Sequence, residues 1–89
     1  MITQRLSVVN KLGLHARAAS KFVKLAATFQ SDIKVKKGGR EANGKSIMGL
    51  MMLAASCGTT IEVSADGPDE VEALVAIKEL LERRFDEGG

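Results

Sequence analysis

The sequence predicts an α+β protein: an open-faced β-sandwich in the order βαββαβα, with a four-stranded antiparallel sheet covered on one face by three helices. Four short stretches alternate apolar with polar residues, so each strand has one wet face, as antiparallel sheets allow. Three stretches with helical apolar spacing follow or separate them and must cover the other face. The chain has 89 residues and is 45% apolar. That is enough for one modest core, so residues 1–89 are expected to form a single domain.

In the first strand Ile2, Leu6 and Val8 alternate with Thr3, Arg5 and Ser7. Residues 10–13 read as a loop. From Ala16 the period changes: Ala19, Phe22, Val23 and Ala26 share one helical face, and Arg17, Ser20, Lys21 and Lys24 the other. Ile33 and Val35 alternate with Lys34 and Lys36 as a second strand. The paired glycines of Lys37-Gly38-Gly39-Arg40 suit a tight hairpin into a weak third strand at Glu41, Ala42 and Asn43. Ser46 can cap a short helix running from Ile47 to about Ala55, with Gly58 past its end. Ile61, Val63 and Ala65 alternate with Glu62 and Ser64 as the fourth strand. After a turn at Asp66-Gly67-Pro68-Asp69, the last helix has acids in its first turns and Arg83 and Arg84 near its end, which complements the helix dipole. Its buried stripe is read as Val71, Leu74, Val75, the Lys78 stem, Leu81 and Phe85. The tail Asp86–Gly89 is expected to fray.

Composition excludes several functions. Three Phe with no Trp or Tyr leave no stacking platform for single-stranded nucleic acid. One His and one Cys, Cys57, are too few for a structural zinc site, and no metal or cofactor is expected. The single cysteine forbids an internal disulfide and fits a reducing cytoplasm. The start MITQRLSVVNK lacks the pattern of a signal peptide, and the longest uncharged run, Ser46–Ile61, is short for a membrane span. A cytoplasmic protein without membrane insertion is expected. Net charge is +2, but residues 1–45 carry ten basic and two acidic groups, and residues 46–89 three basic and nine acidic. A basic half suggests an anionic partner, unless folding mixes the halves. One reading of that half is a small basic nucleic-acid-binding module, which the scarcity of aromatics and the lack of a binding motif oppose.

Three segments could carry chemistry. Gly39 to Ser46 fits the P-loop pattern, but its first residues are needed for a hairpin strand, and a chain this short lacks the parallel sheet. In Gly13-Leu14-His15-Ala16-Arg17 the only histidine stands at a predicted helix start. A lone histidine is usually structural. Here the first-turn N–H groups, at Ala16, Arg17 and Ala18, could hold a phosphoryl group, Arg17 could add its guanidinium, and the imidazole could act as nucleophile. The third segment, Ile47 to Ala55, is apolar nearly all round. So small a domain cannot cover such a helix, so some of Ile47, Met48, Met51 and Met52 should face water as an adaptable docking surface.

Gly13-Leu14-His15-Ala16-Arg17 followed by Gly44-Lys45-Ser46-Ile47-Met48-Gly49 resembles the HPr phosphocarrier family of the bacterial phosphoenolpyruvate-dependent sugar phosphotransferase system, over roughly residues 3–81 in the same element order. The resemblance implies that His15 takes a phosphoryl group from phosphorylated enzyme I, on Nδ1 in the family, and passes it to an enzyme IIA domain. Such a protein is a carrier that needs partner enzymes, and a monomer is expected. Arg17 matches the family's phosphate-site arginine. Ser46, an N-cap on its residues alone, matches a serine that an HPr kinase/phosphorylase modifies in many members. The family usually has proline after the arginine, and here Ala18 stands in its place.

Overall fold

The computed structural model describes residues 1–86. Strand β1 (Ile2–Ser7) leads to helix α1 (Ala16–Ala26), the hairpin β2 (Asp32–Lys37) and β3 (Arg40–Asn43), the short helix α2 (Ile47–Met52), β4 (Thr60–Asp66) and α3 (Glu70–Glu82). A 3-10 turn follows at Arg84–Asp86. The strands form one antiparallel sheet in the order β1-β4-β2-β3. The predicted βαββαβα sandwich is therefore the observed architecture.

Alternation decides the two sides of the sheet. Leu6, Ile33, Val35, Ile61, Val63 and Ala65 point inward and are buried against the helices. Ala18, Ala19, Phe22 and Ala26 of α1 and Leu50 of α2 meet them. Burying one side chain such as Phe22 or Ile61 contributes about 1.5–3 kcal/mol. On the wet face, Thr3 bonds Ser64 at 2.9 Å, and Arg5–Glu62 and Lys34–Glu41 pair at 3.6 and 3.7 Å. Exposed pairs of this kind add about 0–1 kcal/mol each.

Two expectations need correction. Helix α2 ends at Met52 rather than near Ala55, because Ala54 adopts a left-handed φ of 54° and turns the chain. Gly58, at φ 90°, lies in a later turn whose N–H reaches Val8 O at 2.7 Å. In α3 the buried side chains are Ala73, Leu74, Ile77, Leu80 and Leu81. Val71 and Val75 are 55% and 52% exposed, and Lys78 is also exposed. The face through Ala73, Ile77 and Leu81 meets the core, and at about 100° per residue Val71 and Val75 fall on the outer side. Phe85 is fully buried as expected, from a turn in which Arg84, Phe85 and Asp86 all have positive φ. Of the tail expected to fray, Asp86 belongs to that turn and residues 87–89 lie outside the described residues.

Candidate functional site

The segment before α1 is bound backbone to backbone against the chain that follows α2. Val8 N–H donates to Thr59 O at 2.8 Å, Gly58 N–H to Val8 O at 2.7 Å, and Leu14 N–H to Ala55 O at 2.8 Å. Asn10, fully buried, donates through Nδ2 to Gly13 O at 2.7 Å, and Gly13 N–H returns to Asn10 O at 3.2 Å. Gly13 sits at φ 65°, and a Cβ there would lie 2.8 Å from Ser56 Cα and closer still to Ala55 O. Only glycine satisfies both constraints.

This loop delivers His15 to the N-cap of α1, with φ −75° and ψ 177°. Its carbonyl accepts the first helical bond, from Ala19 N–H at 2.8 Å, but its side chain does not cap the helix. The imidazole is half-buried. Ala16, Arg17 and Ala18 precede the helical ladder, so their N–H groups have no partner within it and carry the positive end of the dipole. Arg17 and Ala16 are exposed, whereas the Ala18 side chain is buried. The helix start carries partial positive charge, and Arg17 lies exposed in its first turn. Among the described residues no group of three or more His, Cys, Asp or Glu could hold a metal ion.

Helix α2 packs beside α1. Ser46 is its N-cap, with Oγ accepting from Gly49 N–H at 3.1 Å. The P-loop pattern has no phosphate cradle here. Gly44 N–H bonds Ile33 O at 2.7 Å, Lys45 N–H bonds Asn43 Oδ1 at 2.9 Å, and Ser46 N–H bonds Asn43 O at 3.0 Å. Ile47, Met48, Met51 and Met52 are 42, 73, 43 and 70% exposed, so all four face water. Ser46 and His15 stand at opposite ends of α2, since the chain just past its C-terminus holds Leu14. Sequence reasoning missed Asn10 and the Ala55 carbonyl as supports of the site. Asn10 three residues before Gly13 carried a turn signal; the Ala55 contact had none.

A family model described as "PTS HPr component phosphorylation site" matches residues 2–83. The chain belongs to the HPr family of the phosphoenolpyruvate-dependent phosphotransferase system. It is 52% identical over 88 residues to the phosphocarrier protein HPr of Neisseria meningitidis serogroup A, covering 99% of each chain. It is 54% identical over 87 residues to that of Xylella fastidiosa strain Temecula1, covering 98% of each. The crystal structure of HPr-C-His from Thermoanaerobacter tengcongensis superposes with a TM-score of 0.94 at 45% identity, over 98% of both chains. Membership implies partners within the phosphotransferase system. Among the described residues no helix is long and apolar enough to cross a membrane.

Proposed function

We propose that His15 of this chain accepts a phosphoryl group from phosphorylated enzyme I and delivers it to an enzyme IIA domain. An imidazole nitrogen attacks phosphorus, a new N–P bond forms, and the bond to the donor's group breaks. The single observation that carries this reading is the placement of His15 at the N-cap of α1, beside the first-turn N–H groups. There the N–H groups of Ala16, Arg17 and Ala18 and the Arg17 guanidinium can stabilise the oxygens of the transferring group. Partner docking uses the exposed Ile47, Met48, Met51 and Met52 of α2. Ser46 is a regulatory phosphorylation site for an HPr kinase/phosphorylase. The protein works as a cytoplasmic monomer and as a carrier that its partner enzymes load and unload.

Incubation with phosphoenolpyruvate and enzyme I tests the central claim. Intact mass should show one added phosphoryl group, labile in acid and stable in base. His15→Ala should lose it while keeping its circular dichroism spectrum. Arg17→Ala should slow loading by roughly 100–1,000-fold and leave residual transfer, because the N–H groups remain. Uptake by folded His15→Ala would overturn the reading.

A further inference from the structure

Helix α2 has six residues and no basic group in its last turn. A helix leaves its final carbonyls outside its own ladder, so they need partners from elsewhere. These come from the β2–β3 hairpin. Lys37, the last residue of β2, donates from Nζ to Leu53 O at 3.2 Å and to Ala54 O at 3.1 Å. Arg40, the first of β3, donates from Nη1 to Met52 O at 3.0 Å. Both cations also complement the negative end of the helix dipole.

The carbonyls that Lys37 spans belong to a turn that is not at its conformational minimum. Ala54 holds φ 54°, a region where a non-glycine residue persists only when its surroundings enforce it. The next carbonyl, of Ala55, receives Leu14 N–H at 2.8 Å, and Gly13 closes over it with no room for a Cβ. Leu14 is covalently joined to His15. An unbroken path therefore runs from the Lys37 ammonium through the 53–55 turn to the helix start that carries the imidazole.

We propose that Lys37 is a positioning residue for His15. Its ammonium fixes the turn, the turn fixes the Ala55 carbonyl, and that carbonyl fixes Leu14 and the N-cap. The kinetic consequence rests on the reading of His15 as phosphoryl acceptor, but the structural one does not. A lysine that served only to attract acidic partners would act on the affinity for enzyme I. A positioning lysine acts on the maximal rate at which enzyme I loads the chain.

The experiment compares wild type with Lys37→Met, which keeps length and removes the donors, and with Lys37→Arg, which keeps a cation within reach of both carbonyls. In Lys37→Met, exchange of the Leu14 amide should rise about tenfold while the amides of Val63 and Ile77 keep their rates. The maximal loading rate with phosphorylated enzyme I should fall roughly fivefold, with KM constant within about twofold. Lys37→Arg should restore both. Unchanged Leu14 exchange, or a raised KM at constant maximal rate, overturns the proposal. If wild type takes no phosphoryl group at His15, the acceptor reading falls, and the Leu14 amide alone still decides whether Lys37 holds the turn.

Discussion

Asp69 occupies the N-cap of α3 yet makes no side-chain cap to its own helix. Its carboxylate instead takes the Ser31 hydroxyl at 2.5 Å, Gln30 N–H at 2.8 Å and Ser31 N–H at 2.9 Å. The Ser31 hydroxyl first, then the Gln30 N–H, favours the charged form and holds the acid below its ordinary value. A carboxylate lowered in this way adds stability in full above its unfolded-state pKa of about 3.9, and that stability is lost as pH falls through the folded value. Asp69→Asn is expected to melt below wild type at neutral pH, with the gap closing in acid. Melting curves from about pH 2 to 7 check this, and a gap independent of pH would rule out the charged carboxylate as its source.

At the scale of elements, the sequence was most legible where local chemistry and tertiary packing agree. The apolar positions of α1 follow one stripe, so Ala19, Phe22 and Ala26 could be placed in the core in advance. Ser46 could be read as a cap because its hydroxyl serves a neighbour three residues on. Helix α3 carries apolar residues on more than one face, and periodicity pointed to the stripe through Val71 and Val75 rather than the buried one through Ala73 and Ile77. Packing on the sheet made the choice. The end of α2 was unreadable for a different reason. An alanine occupies the left-handed position where sequence rules look for glycine, and hydrogen bonds from Lys37, far away in sequence, sit on that turn. His15 could be located as a helix start from its flanking residues, but the loop that holds it depends on the non-local Ala55 carbonyl. The exposure of α2 was foreseeable from domain size alone and leads to a second expectation. Met48→Glu should leave the melting temperature nearly unchanged and weaken enzyme I binding by about 1–3 kcal/mol in titration calorimetry. A large fall in melting temperature at constant affinity would place Met48 among the core residues instead.

Over the whole molecule, the two oppositely charged halves of the sequence are partly interleaved. The acidic strand β4 lies between the basic strands β1 and β2, where Glu62 pairs with Arg5 and stands in register with Lys36. On the open sheet face folding mixes the halves. The helical side keeps exposed Arg17 and Lys24, with Arg40 at the edge of the sheet, while α2 contributes apolar rather than charged surface. A negative group at Ser46 would enter the margin of that surface at the end of α2 away from His15. Six residues of helix span about 9 Å, close to the screening length of about 8–10 Å at ordinary ionic strength. Ser46→Asp should therefore slow loading of His15 chiefly through partner attraction, more at low salt than at high, without lowering the melting temperature. Loading rates equal to wild type across a salt titration would exclude that electrostatic route.

The strand order also fixes when the site can come into being. Among the described residues strand β1 pairs only with β4, so Leu6 must wait for Ile61, and the loop leading to His15 must wait for Ala55 and Thr59. Helix α1 can form early from local contacts, and the β2–β3 hairpin can close on its own turn. The histidine's setting can do neither. Its assembly requires closure of a loop spanning more than half the chain, the kind of step that slows folding. A partly folded molecule with α1 and the hairpin in place would still lack the scaffold that holds the imidazole. On the reading of His15 as acceptor, a partner enzyme that recognises the assembled site would load only chains whose sheet is complete.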